Sequence, residues 1–189
     1  MGPELMAKLL LYLASLMLST NFSASTPPTP AASVVSMSYG AVATAAPHEA
    51  TDESVRTEQR LIDLVNSERR AKGLTALALN PLLVQVARDH SREMWEKGYF
   101  DHFSPTPELR TPMDRYIKAL GRTPTWAFLG ENLFYCSIVD VERGHRLLMQ
   151  SPKHRENITN DRFREIGVGV FVSPDGRFYV TQLFLGQTG

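Results

Sequence analysis

Two histidines and a glutamate stand at marked turns in the second half of this chain. They are His102 in Asp101-His102-Phe103-Ser104-Pro105, Glu131 in Gly130-Glu131-Asn132, and His154 in Ser151-Pro152-Lys153-His154-Arg155-Glu156-Asn157-Ile158. Imidazole and carboxylate together can hold a divalent cation or shuttle a proton. No local metal-binding spacing joins the three, so they share chemistry only if folding gathers them. Gathered, they supply the three protein ligands of an open zinc site, with water in the fourth position. Without a metal they form a hydrogen-bonded cluster in which an ionised Glu131 raises the proton affinity of either histidine. Separate structural roles are the third possibility: His102 pinning a loop, Glu131 capping a neighbouring helix, His154 holding a short helix.

Other catalytic signatures are missing. There is no nucleophile elbow, HExxH pair, Walker loop or dinucleotide fingerprint. Gly167-Val168-Gly169 lacks a third glycine and sits in a strand pattern. Ser151, followed by Pro152, reads as a helix N-cap rather than as a nucleophile served by His154. Cys136 ends an apolar run and reads as a small buried hydrophobe rather than a reactive thiol.

The elements that must position these residues are legible in outline. A first helix is expected over about residues 54–72, with Leu61, Leu64, Val65 and Glu68 on one face and Gly73 as its stop. The run Glu68-Arg69-Arg70 reads as a solvated helix face. Asn80 and Pro81 are a cap and a first-turn residue for a second helix. There Leu83, Val86, Ala87, His90 and Met94 make one apolar stripe that ends near Gly98, which makes His90 a packed, hydrogen-bonded core histidine and places Trp95 at the edge. Residues 99–107 form the loop that carries His102.

A third helix starts at Thr111-Pro112, with Met113, Tyr116, Ile117 and Leu120 inward, and stops at Gly121. Residues 131–138 read as a short extended segment. A fourth helix runs over about 139–150, and Ser151-Pro152 breaks it to open a fifth, whose first turn holds His154. Residues 165–172 and 177–185 form a hairpin through Ser173-Pro174-Asp175-Gly176. Gly167 and Gly169 fall on one face of the first hairpin strand, where another backbone must come close. Helices covering both faces of a small sheet make an α+β protein built as a three-layer α-β-α sandwich.

The ordered set of motifs around His102, Glu131 and His154, followed by Ile166-Gly167-Val168-Gly169-Val170, resembles the CAP superfamily, or SCP domain. This family takes in cysteine-rich secretory proteins, antigen 5 and plant pathogenesis-related proteins. The resemblance runs from about Glu58 to Gln187 and implies the same three-layer sandwich. It also implies that His102, Glu131 and His154 line a central cavity. Relatives carry a second acidic residue on the helix before the second histidine; Ser151 stands there, and Leu148 replaces a common tryptophan. Loss of that carboxylate weakens any mechanism needing paired carboxylates and disfavours a hard cation more than zinc. The resemblance places Ser151 with the three in a ligand-binding cleft.

Composition narrows the setting. The chain has 189 residues, with 20 basic and 20 acidic side chains, so the formal net charge is zero. That balance argues against nucleic acid and against a broad contact with anionic lipid. Lys8, the apolar run from Leu9 to Leu18 and small residues at Ser19, Ser23, Ala24 and Ser25 have the three-part layout of an export signal over residues 1–25. No membrane span is expected after its removal. Residues 26–52, rich in Pro, Ala, Ser and Thr, read as a disordered linker, and 53–189 as the folded domain. Cys136 is the single cysteine, so no internal disulfide can form, unlike the disulfide-rich animal and plant members, and the chain looks like the prokaryotic branch.

These readings converge on an exported protein that binds a small lipid, a cell-envelope fragment or a peptide in a His/Glu-lined cleft, with zinc as a possible companion. Two alternatives compete with it. One is a metal-dependent hydrolase of peptide or envelope polymer, with Glu131 as the only candidate base. The other is an interaction module with a vestigial cleft.

Overall fold

Two glycines on one strand face decide how closely the layers approach. A computed structural model describes residues 51–186, all within one compact unit, Ala46–Gly189. The export signal and almost all of the expected linker lie outside the described residues, as does the end of the chain. In order, the elements are α1 (Asp52–Ala71), β1 (Ala78–Leu79), α2 (Pro81–Glu96), a single 3-10 turn (Pro107–Leu109), α3 (Pro112–Leu120), β2 (Phe128–Cys136), α4 (Val141–Gln150), α5 (Pro152–Thr159), β3 (Glu165–Val172) and β4 (Phe178–Gly186). The sheet order is β1-β3-β4-β2, antiparallel except for the short β1–β3 pair.

Helices cover both faces, as the three-layer expectation required. On one face Leu61, Ile62 and Val65 of α1, Leu148 of α4 and Ile158 of α5 pack on Ile166, Val168, Val170, Phe178, Val180 and Phe184. On the other, Leu83, Val86 and Ala87 of α2 and Tyr116 of α3 pack on Leu183 and Leu185. The strict alternation along β3 sends its branched side chains to the first face and its glycines to the second. A Cβ on Gly167 would lie 2.3 Å from the Leu83 carbonyl carbon, and one on Gly169 would lie 2.0 Å from the Arg88 nitrogen. The backbone of α2 therefore rests directly on the strand, the close approach that the glycine alternation predicted.

The caps formed largely as expected. Asn80 accepts from Leu82 and Leu83 amides, and Thr111 and Asp114 form a reciprocal capping box on α3. Ser151 occupies the N-cap position of α5, but its side chain makes no capping hydrogen bond. Strand β1 was not anticipated: two exposed residues carry no periodic signal.

One charged residue overturns its expected place. The buried face of α1 is Glu58, Leu61, Ile62, Val65, Asn66 and Arg69, one step around the helix from Leu64 and Glu68. Arg69 is fully buried instead of solvated. Its guanidinium donates to the carbonyls of Thr75 at 2.9 Å, Ile158 at 3.0 Å and Asn160 at 2.7 Å. The planar fork satisfies acceptors that no helix or strand could reach. Glu58 is likewise buried: it accepts from the Val170 amide at 3.1 Å and from Arg88 Nε at 2.8 Å, covering the edge of β3 beyond β1.

Because the Gly169 contact is with backbone and no flexible side-chain end can yield, Gly169→Ala should lower the unfolding free energy by about 3 kcal/mol or more, the upper range for overpacking. Urea denaturation followed by circular dichroism measures it. A loss below about 0.5 kcal/mol, the scale of a neutral surface change, would contradict the close packing.

Candidate functional site

The site forms where the α2–α3 loop meets edge strand β2. Odd-numbered residues of β2 face α2 and α3, so Glu131 points into that layer opposite Leu183, while Asn132 points to the other face opposite Gln182. The Glu131 carboxylate is almost fully buried, and both of its oxygens are engaged. Arg115 Nη2 of α3 donates to Oε2 at 2.6 Å, and His102 Nδ1 donates to Oε1 at 2.8 Å. A carboxylate only accepts, so His102 Nδ1 is the donor in this bond and Nε2 is the ring nitrogen left free of Glu131. The His102 side chain remains 45 % exposed, against 2 % for Glu131.

Arg115 ties this pair to the loop. Its Nη1 donates to the carbonyls of His102 at 3.2 Å and Leu109 at 3.1 Å. The other end of the loop is fixed by Glu93 of α2, which accepts from Tyr99 Oη at 2.6 Å, Ser104 Oγ at 2.8 Å and Thr106 Oγ1 at 2.6 Å. Partial burial raises the Glu93 proton affinity, but hydrogen bonds from Thr106, Tyr99, Lys97 and Ser104 outweigh it and hold the carboxyl at about 2. His90, buried on the α2 face, donates from Nε2 to the Asp101 carbonyl at 3.1 Å. Burial pushes its proton affinity down, so it serves as the packed core histidine that the helix pattern indicated.

His154 approaches from the other layer. Its carbonyl accepts from Asn132 Nδ2 at 3.1 Å, and Asn157 Nδ2 donates to the Glu131 carbonyl at 3.1 Å and to Asn132 Oδ1 at 2.9 Å. These amides fasten α5 across the outer edge of β2. Burial lowers the His154 proton affinity, and His102 lowers it further, which puts the two rings within electrostatic reach. Ser151 ends α4 and begins α5, partly buried, three residues before His154. Sequence reasoning named both histidines and Glu131, carried Asn132 and Asn157 only within their motifs, and missed Arg115. Arg115 carried no signal beyond being a charge on an otherwise amphipathic helix.

Of the expected metal set, Glu131 meets His102 directly, and His154 is held on α5 beside the same strand. Among the described residues no group of three or more His, Cys, Asp or Glu side chains is disposed to hold a metal ion. Arg115 joins His102 in engaging both Glu131 oxygens. Glu131 thereby becomes an orienting partner of His102. Cys136 is half-buried, donates to the Ile138 carbonyl, and has its thiol proton affinity raised by burial, which disfavours the thiolate.

Two hollows are lined by residues other than these three. One of about 300 Å³ sits between the start of α1, Arg88 and Arg92 of α2, and the end of β3. A second, of about 360 Å³, is bounded by Trp95, Tyr99, Phe100, Tyr135, Tyr179 and Arg177.

The three-layer sandwich is the fold of the CAP class. The chain belongs to this cysteine-rich secretory protein family, whose model matches residues 62–184. Among individual proteins it is 37% identical over 130 residues to YkwD of Bacillus subtilis, an uncharacterized protein, covering 69% of this chain and 47% of that one. It spans about half or less of the curated relatives it matches. An extracellular SCP-domain protein from Bacillus anthracis superposes with TM-score 0.59 at 28% identity, over 75% of this chain and 45% of that one. An outer surface protein of Borrelia burgdorferi has the same fold, with TM-score 0.59 at 20% identity over 74% of this chain and 96% of that one. No described helix is long and apolar enough to cross a membrane.

The buried ion pair generates a test. Arg115→Met and Glu131→Leu should each cost about 3–5 kcal/mol, because each strands a buried charge, while the double variant should cost clearly less than their sum. Additive costs in urea unfolding would dissolve the pair. The Glu93 hub generates a second. A carboxyl lowered from 4.5 to about 2 favours folding fully above pH 4.5, and that contribution fades as pH falls towards 2. Glu93→Gln should therefore flatten the acid limb of the stability profile between these values; an unchanged limb would contradict the hub.

Proposed function

We propose that this chain is an exported CAP-domain protein whose His102/Glu131/His154 site binds a ligand and performs no hydrolysis. The observation that carries the reading is the double engagement of Glu131. A general base needs an oxygen free to take a proton from substrate or water. Here one oxygen is held by a buried guanidinium and the other by an imidazole, both at charge-assisted distances. The carboxylate therefore orients His102. What remains exposed is the His102 edge, with partly buried His154 on α5 beside the amides of Asn132 and Asn157.

That edge can accept hydrogen bonds from a lipid headgroup, an envelope fragment or a peptide. It can also hold a zinc ion between the imidazoles of His102 and His154, with Glu131 fixing the His102 tautomer. Bound zinc would supply Lewis acidity at the cleft; the residues themselves orient and desolvate what enters. The amino-terminal pattern over residues 1–25 supports delivery outside the cytoplasm, and the neutral net charge supports a ligand other than nucleic acid.

Purified protein, with and without zinc, should show no turnover of dye-labelled casein or of isolated cell-wall polymer above background. Zinc titrated by calorimetry at pH 7 should bind, and retention should fall as pH drops below about 6.5, where histidines gain protons. Turnover that disappears in a folded His154→Gln variant would replace the binding reading with the hydrolase one. A lack of zinc binding at pH 7 would remove the metal from the proposal.

A further inference from the structure

The aromatic hollow beside the site has a composition that speaks to ligand class. Gly98, with φ of 67°, turns the chain sharply after α2 and lays Tyr99 and Phe100 against the sheet. Phe100 and Tyr135 are 41% and 45% exposed, large rings held at the surface. Their centroids are 5.0 Å apart at 59°, and Tyr135 stacks at 5.7 Å and 18° on Tyr179, which is buried. Trp95 is fixed at 5.1 Å from Phe171. The rings are thus braced from behind by the core formed around Met94, Leu133 and Tyr179, with no aliphatic side chain among the lining residues. Arg177, the charged member of the lining, is paired with Asp175 at 2.6 Å, so the hollow carries no unpaired charge.

The hollow adjoins the functional site along β2. Tyr135 and Glu131 lie on the same face of that strand, about 14 Å apart along it. Phe100 and His102 stand two residues apart on the loop that Glu93 and Arg115 hold. One extended ligand can therefore touch the rings and the His102 edge together.

We propose that this aromatic hollow is a saccharide-binding subsite and that the ligand of the His102/Glu131 site is a neutral, linear oligosaccharide; this rests on the binding reading given above. A pyranose ring has an apolar C–H face, which packs on an electron-rich aromatic face, and a polar rim of hydroxyls. Braced, uncharged aromatic rings open to water suit that dual character. An acyl chain calls for an enclosed aliphatic channel, and a phosphorylated or acidic ligand calls for free cationic groups. The imidazole edges of His102 and His154 then accept hydroxyl hydrogen bonds at one end of the sugar chain.

The test uses the full chain and two soluble probes, chitohexaose and cellohexaose. Trp95 lies in the hollow, so fluorescence titration and side-chain NMR of the Phe100, Tyr135, Tyr179 and His102 rings read binding directly. At least one probe should bind, perturb these rings, and bind about tenfold or more weakly to Phe100→Ala and Tyr135→Ala, the scale for truncating a binding hot spot. Tyr135→Leu keeps bulk over Tyr179 and should lose affinity equally, separating ring chemistry from folding. Leu147→Ala, on α4 across the sheet, should bind as the parent does.

No ring perturbation by either probe at millimolar concentration overturns the saccharide assignment, as does undiminished binding by Tyr135→Ala. Perturbation of the same rings by a proline-rich peptide in place of the sugars overturns it too, while leaving the binding reading intact. The binding reading itself falls if saccharide, peptide and fatty acid all leave the His102 and His154 rings unmoved.

Discussion

The contact distance between α2 and β3 is the constraint on which the rest depends. Helix backbone meets strand backbone at Gly167 and Gly169, without side chains between them. That closeness lowers α2 onto the sheet and lets Ser91 Oγ reach the Gly169 carbonyl at 3.0 Å and Thr181 Oγ1 at 2.9 Å. With α2 seated, His90 and Glu93 stand at fixed positions beneath the following loop. Their bonds to Asp101, Tyr99, Ser104 and Thr106 turn an irregular segment into a defined one. The place of His102 is therefore set by two missing methyl groups far along the chain.

Electrostatics then determine what the site can do. Burying Glu131 would be costly alone, and Arg115 and His102 offset that cost through one short bond each. The same bonds hold both carboxylate oxygens against α3 and the His102 loop. The place of Arg115 in this cluster is not visible in the types or spacing of the two histidines and the glutamate.

Edge protection and site construction are the same structure at β2. An unpaired edge strand invites pairing with another chain. Here Asn157 caps the Glu131 carbonyl, and Asn132 reaches back to the His154 carbonyl. The amides that cover the edge also carry His154 to the glutamate. On the opposite side, Glu58 and Arg88 cover the open part of β3 with an ion pair whose carboxylate is buried. Polar side chains thus cover β2 at Glu131 and β3 at Val170, without disulfides, which fits a chain with a single cysteine.

The sequence by itself determined the layered fold, most helix boundaries and the hairpin, and it singled out His102, Glu131 and His154. Those features are local: caps at Asn80 and Thr111, apolar periods of helix and strand, and the alternation of Gly167 and Gly169 are written within a few residues. It mistook Arg69 for a solvated charge because helix pattern records spacing and says nothing of carbonyls left over in Thr75, Ile158 and Asn160. It carried no sign that Arg115, on another element, would pair with Glu131. Only tertiary structure brought these together, since the pairing of a buried charge depends on which elements pack across it. The aromatic hollow has the same origin: Trp95, Phe100, Tyr135 and Tyr179 come from a helix, a loop and two strands, and share no period that a linear reading can detect.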